Sequence, residues 1–168
     1  MKKPPHPSPL PTGARGHWPD LAGRIEGDKH VLPIRVYFED TDCGGVVYHA
    51  NFLKFCERGR SDFIRLLGIE HQGLANPEQG EPAIFVVRHV EIDYLKPGRM
   101  DDVLEIVTTC AEIGSASLKL RQDVMRDGTL IVRAVVTVVL VGRSGKPQRL
   151  GALVRNALQR FVNQARET

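Results

Sequence analysis

The residues best suited to chemistry are concentrated in Glu39-Asp40-Thr41-Asp42-Cys43-Gly44-Gly45-Val46-Val47-Tyr48-His49-Ala50-Asn51. Acidic side chains, paired glycines and a histidine stand just ahead of an apolar, helix-like run. The glycines permit positive φ and let a ligand approach the backbone closely. A helix start offers unpaired N–H groups and the positive end of the helix dipole. Those groups can stabilise an oxyanion that develops on a carbonyl. Asp42 adds a carboxylate, and His49 an imidazole of the type that titrates near neutrality. Each residue also has a plain structural reading. Asp40 or Asp42 can be a turn residue bonding its own backbone, and His49 and Asn51 can be helix caps. The cluster as a whole favours a reactive site. No second set of His or Cys ligands is spaced to complete a metal site, so no metal and no cofactor is expected.

The elements that must position this loop can be read around it. Ile34 to Phe38 alternates like a strand. From Ala50 to Leu67 apolar residues recur at three and four positions, through Phe52, Phe55, Cys56, Gly59, Phe63 and Leu66, and Gly68 is a natural stop. Gly59 lies on the apolar face. Glycine there costs about 1 kcal/mol relative to alanine, so it implies close approach of another backbone such as a sheet. Residues 69 to 83 read as loop. Four strand-like segments follow: Ile84 to Leu95, Val103 to Ile113, an alternating stretch from Leu118 to Val124, and Leu130 to Val141, a central strand. Asp127-Gly128 signals a tight turn between the last two. Leu150, Leu153, Val154, Ala157, Leu158, Phe161 and Val162 mark a C-terminal amphipathic helix. Consecutive strands with short turns favour an antiparallel sheet, and with the long helix they give an α+β class.

With 168 residues, 42% hydrophobic and 26% charged, the chain has room for one ordinary domain. No apolar run reaches the ~18 residues needed to span a bilayer. Seven of the eleven prolines lie at or before Pro33, so residues 1–31 read as a mobile Pro/Gly-rich arm and 32–168 as the folded domain. Trp18 and Leu21 would tack the arm to the body. The arm is not apolar enough for a secretory segment. Cys43, Cys56 and Cys110 form no disulfide framework, so reduced thiols and a cytoplasmic location are expected. The net charge is +3, but residues 1–30 hold five basic and three acidic residues and so carry +2 of it. The nearly neutral remainder is poor evidence for a nucleic-acid partner. His6, His17, His30 and His71 fall in expected loops or the arm, and His89 on a strand.

The run from Arg35 through Glu39-Asp40-Thr41-Asp42 and Tyr48-His49-Ala50-Asn51 to Phe52 resembles the signature of the 4-hydroxybenzoyl-CoA thioesterase-like hotdog family. It is most similar to acyl-CoA thioesterases associated with the bacterial Tol-Pal envelope system. Phe55-Cys56-Glu57-Arg58-Gly59-Arg60, Phe85-Val86-Val87-Arg88 and Ile92-Asp93-Tyr94 extend the resemblance. It implies a hotdog fold, a long helix wrapped by an antiparallel sheet. It also implies dimers, often paired into homotetramers, with sites at the dimer interface. The family's catalytic carboxylate falls on Asp42, and its oxyanion donor on the backbone N–H near His49 and Tyr48. Gly44 and Gly45 support the loop. Cys43 departs from the usual alanine or proline.

The implied activity is hydrolysis of an acyl-CoA thioester, with Asp42 as nucleophile or as general base and His49 orienting it or protonating the thiolate. Glu57 is a rival acid whose plain role is a salt bridge with Arg60 or Lys54. Coenzyme A carries phosphates, so basic residues should gather at the pocket mouth. Arg88, Lys96 and Arg99, or Arg143, Lys146 and Arg149, are the candidates. A non-catalytic scaffold for an acyl group, an acyl carrier protein or an envelope-system partner is the alternative. A dehydratase pairing His49 with Glu57 ranks last.

Overall fold

The computed structural model describes residues 22–69 and 82–162. The proline-rich stretch, Trp18, Leu21, His71 and most of the loop expected between 69 and 83 lie outside them. In chain order the elements are β1 (Arg24–Glu26), β2 (Lys29–Arg35), a short 3-10 turn (Phe38–Asp40), α1 (His49–Leu66), β3 (Ala83–Tyr94), β4 (Val103–Ile113), β5 (Ser117–Arg126), β6 (Thr129–Gly142) and α2 (Ala152–Gln159). The strands form one antiparallel sheet in the order β1-β2-β4-β5-β6-β3. The sheet wraps α1, which is the hotdog arrangement. No helix among the described residues is long and apolar enough to cross a membrane.

Alternation explains which face is inward. Leu104, Ile106, Thr108 and Cys110 of β4 and Leu118, Leu120, Gln122 and Val124 of β5 are buried, while their neighbours are partly or fully exposed. They meet Phe52, Phe55, Cys56, Gly59 and Phe63 of α1 in one continuous core. Gly59 is the point of closest approach. A Cβ there would lie 2.8 Å from Ile106 Cγ2 and 3.3 Å from Gln122 Nε2. The helix is therefore pressed against side chains of the sheet rather than against its backbone. Gln122 uses the contact, donating from Nε2 to the Cys56 carbonyl at 2.9 Å and to Thr108 Oγ1 at 3.0 Å. Its Oε1 accepts from Arg60 at 2.8 Å. This buried polar network has all its partners, which is what makes it tolerable in a core.

The structure moves two boundaries. Residues 24–31, expected to belong to the arm, are part of the sheet, because Arg24–Glu26 and Lys29–Arg35 form a hairpin and β2 pairs with β4 from His30 to Arg35. The hairpin turns at Gly27-Asp28, with Gly27 at φ +62°. Pro33 sits in β2 beyond the reach of β1, where a missing N–H breaks no ladder. The strand expected over Ile34 to Phe38 instead ends at Arg35, and the chain then bends into the 3-10 turn. At Asp127-Gly128 both residues have positive φ, 48° and 71°, as a tight hairpin turn requires.

His30, expected in the arm, is a core residue with 0% exposure. Its Nε2 lies 2.8 Å from Asp62 Oδ2 on α1, and its ring is 5.5 Å from that of Phe63. Nδ1 is buried without a partner. Arg24 on β1 and Arg65, which bonds Asp62, are the other charges facing the pair. Burial lowers the His30 pKa, against the raising effect of Asp62. The unfolded imidazole therefore takes a proton below about pH 6.5 more readily than the folded one. The stability from this group is fully present above that pH and is lost as pH falls below it. The slope is at most about 1.4 kcal/mol per pH unit. Urea denaturation at pH 7.5 and 5.5 should show this loss, and His30→Gln should flatten it. An equally steep loss in the variant would place the dependence elsewhere.

Candidate active site

The loop between β2 and α1 is built around Asp40, which is buried. Its carboxylate Oδ2 accepts the Tyr37 N–H at 2.9 Å. Its carbonyl accepts both the Tyr48 N–H and Asn51 Nδ2, each at 2.9 Å. Asp40 thus ties the entry of the loop to the first turn of the helix. Asn51 is an anchor for that turn, and no side chain caps the helix start at Tyr48. Between these ties the chain makes a small hairpin closed by the Thr41–Val47 bridge. The Asp42 N–H donates to the Val46 carbonyl at 2.9 Å, and Gly45 N–H to the Asp42 carbonyl at 3.0 Å. Gly45 has φ +73°, which side-chain-bearing residues rarely adopt.

The exposed Asp42 side chain is oriented by this turn. Its Oδ1 accepts the Gly44 N–H at 2.8 Å. This is the turn-type bond expected of an Asp in a loop. It leaves Oδ2 with no partner among the described residues. Four hydrogen-bonded positions therefore present one free carboxylate oxygen to solvent.

At the helix start, His49 is the first residue of α1. Its N–H, with that of Ala50, has no acceptor among the described residues, as first-turn donors do by geometry. The Tyr48 N–H, expected as a second oxyanion donor, is already given to the Asp40 carbonyl at 2.9 Å. It is not available to a substrate. The His49 imidazole is not bonded to Asp42 in the structure. It rests against Tyr48 at 4.5 Å between ring centroids and edge-on to Tyr94 at 6.1 Å. Tyr94, at the end of β3, donates its hydroxyl to the His49 carbonyl at 3.1 Å. Its part in holding the helix start was missed from sequence, because only the strand pairing brings residue 94 to residue 49.

The remaining candidates are placed as follows. Glu57, expected to pair with Arg60 or Lys54, accepts instead from Ser61 Oγ at 2.6 Å. It lies about 12 Å along the helix from His49. There it lines a cavity of about 140 Å³ together with Arg60, Ser61, Ile64, Phe85 and Leu120. That lining is mainly apolar and suits a hydrocarbon or aryl group. Arg88 stands six positions up β3 from Tyr94, about 20 Å away. Arg149 follows β6 at the end of the sheet opposite Tyr94, since Tyr94 pairs with Val132 and Gln148 bonds Leu140. Lys96 and Arg99 are at the Tyr94 end. Cys43 is exposed and unpaired, and burial pushes the thiols of Cys56 and Cys110 up to about 11. Among the described residues, no three His, Cys, Asp or Glu side chains converge to hold a metal ion.

The thioesterase superfamily model matches residues 44–133, a segment that takes in Gly44, Gly45, Tyr48, His49, β3 to β5 and the start of β6. The chain belongs to the thioesterase superfamily. This superfamily member is 40% identical over 110 residues to the acyl-CoA thioesterase YbgC of Haemophilus influenzae, covering 66% of this chain and 79% of that one. It is 42% identical over 110 residues to the acyl-CoA thioester hydrolase YbgC of Escherichia coli O6:H1, covering 65% and 79%. Among solved structures, a probable thioesterase from Bartonella henselae superposes with a TM-score of 0.70 at 41% identity, covering 73% of this chain and 99% of that one. The hotdog fold expected from the resemblance is thus the fold observed.

Proposed function

We propose that this thioesterase-superfamily chain hydrolyses acyl-CoA thioesters, releasing a free acid and coenzyme A. One observation carries the reading. A single loop presents a carboxylate with one unengaged oxygen, and the helix it leads into begins with unengaged N–H groups. The relatives at 40% and 42% identity bear acyl-CoA thioesterase names.

The thioester carbonyl oxygen sits at the His49 N–H, where the helix dipole adds to the hydrogen bond. In one route Asp42 Oδ2 attacks the carbonyl carbon, the C–S bond breaks, and the thiolate leaves. Water then cleaves the mixed anhydride and regenerates Asp42. In the other, Asp42 takes a proton from the attacking water. The Gly44 N–H fixes the carboxylate for either route. His49 is exposed at the helix start, and its imidazole is the group that would return a proton to the thiolate.

A second copy of the chain completes the assembly. β3 is a twelve-residue edge strand whose outer backbone groups have no partner strand among the described residues, and Ile84, Val87, Tyr94 and neighbouring Leu95 are exposed along it. Such an edge is ordinarily covered. Pairing of β3 with its copy supports a homodimer, and a tetramer follows from two of these. The unpaired cysteines support a cytoplasmic location. The resemblance of the Arg35–Phe52 run supports a Tol-Pal association, with an acyl carrier protein or an envelope-system protein as partner, and the YbgC names of the relatives are consistent with it.

Purified protein should release free thiol from members of a panel of short, long and aromatic acyl-CoAs, and should sediment as a dimer or larger. Tight binding without turnover across the panel would favour the scaffold alternative and overturn the enzymatic reading.

A further inference from the structure

Tyr94 ends β3 beside the start of α1. Strand pairing fixes it there. Tyr94 stands opposite Val132, and the N–H groups of Leu95 and Lys96 both go to the Ile131 carbonyl, at 2.9 and 3.0 Å. The Tyr94 ring is edge-on to His49 at 6.1 Å between centroids and lies 5.9 Å from the ring of Phe52. Its hydroxyl donates to the His49 carbonyl at 3.1 Å. Partial burial raises the Tyr94 pKa, so the phenol keeps its proton, and the bond, at neutral pH. The helix ladder already asks that carbonyl for one bond, to the N–H four residues on. The phenol occupies the second lone pair. The same carbonyl shares one planar peptide with the Ala50 N–H.

The N–H groups at the helix start divide clearly. That of Tyr48 goes to the Asp40 carbonyl at 2.9 Å, and that of Asn51 to the Tyr48 carbonyl at 2.8 Å. No side chain caps the helix at Tyr48. His49 and Ala50 are left with N–H groups that have no acceptor among the described residues. The His49 group is the donor to the thioester oxygen in the reading above. The Ala50 group follows it in the same first turn and points the same way along the axis.

We propose that Tyr94 is a positioning residue for thioester hydrolysis, its hydroxyl polarising the His49–Ala50 peptide so that the Ala50 N–H serves as a second, strengthened donor to the oxyanion. This rests on the acyl-CoA reading and deepens it. The route is amide resonance. A hydrogen bond to the amide oxygen draws electron density from nitrogen, and the N–H becomes a better donor. A better donor favours the charged oxyanion over the neutral carbonyl of bound substrate, so the gain falls on kcat rather than on KM. One oxyanion donor contributes about 10²–10³-fold to kcat, and cooperative strengthening is about 10–30% of a bond, so the Tyr94 hydroxyl contributes about two- to eight-fold.

The test compares wild type with Tyr94→Phe, which keeps both ring contacts, and with Tyr94→3-fluorotyrosine, whose more acidic phenol donates more strongly. For one acyl-CoA at neutral pH, Tyr94→Phe should lower kcat about two- to eight-fold and leave KM within about two-fold. The fluorinated phenol should equal or exceed wild type. The infrared carbonyl stretch of a bound, isotope-labelled acyl-CoA reads the polarisation directly, in an Asp42→Asn background where the substrate persists. It should move to higher frequency with Tyr94→Phe and to lower frequency with the fluorinated phenol. A purely structural role would not follow phenol acidity. An unchanged kcat in Tyr94→Phe, a loss expressed mainly in KM, or a carbonyl stretch that ignores the series would overturn the proposal. A wild type that binds acyl-CoA but releases no thiol would remove the thioesterase reading, and the carbonyl frequencies would still decide the role of Tyr94.

Discussion

Asp42→Asn should lower kcat for acyl-CoA hydrolysis by about 10²–10⁴-fold, the usual contribution of a positioned acid or base. The substitution is well suited to the site. The amide oxygen of Asn can still accept the Gly44 N–H that now bonds Oδ1. The hairpin ties at Asp42 N–H and carbonyl involve only backbone. The loop is therefore retained, and what disappears is the free carboxylate oxygen to which the proposed mechanism gives the attack on carbon or the uptake of a proton. Asp42 is exposed, so no buried charge or cavity complicates the comparison. Thiol release under saturating substrate measures the loss, and a thermal melt close to wild type shows that folding is intact. Activity within a few-fold of wild type would move the chemistry to another group. Glu57 would be examined first, because it lines the apolar cavity.

Gly59→Val should destabilise the domain by about 2–4 kcal/mol. Leaving glycine in a helix interior favours folding by up to about 1 kcal/mol, less for a β-branched residue. Against that, the new Cβ would stand 2.8 Å from Ile106 Cγ2 and 3.3 Å from Gln122 Nε2. Overpacking of this kind costs about 1–3 kcal/mol. Displacing Gln122 endangers its bonds to the Cys56 carbonyl and Thr108, and buried groups left unpaired add about 1–3 kcal/mol. Steric and polar costs therefore exceed the propensity gain. For a domain of this size the melting temperature should fall by roughly 5–15 °C. Urea denaturation gives the free energy directly, and a variant as stable as wild type would show that α1 can move off the sheet at little cost.

Much of the fold was legible because it depends on periodicities within one segment. The apolar spacing that predicts a helix over Ala50 to Leu67 matches α1 at His49–Leu66, and Val103 to Ile113 matches β4 at both ends. Gly59 signalled close packing on its own. The hairpin of β1 and β2 was obscured by composition. Averaged over thirty residues, prolines and glycines outweighed the Gly27-Asp28 turn and the buried His30 and Val31, whose partners lie on α1 and β4.

The sequence by itself determined the candidate loop, its place before the central helix and the succession of β3 to β6 along the chain, since each follows from local residue spacing and backbone preference. Tertiary structure alone decided which groups are free to act. The Asp40 carbonyl consumes the Tyr48 N–H and leaves His49's open. Ser61 takes Glu57, and strand pairing brings Tyr94 under the helix start. It also set β3 at the sheet edge. Those outcomes depend on hydrogen bonds between residues far apart in the chain, and a donor's availability is known only when every competing acceptor has been placed.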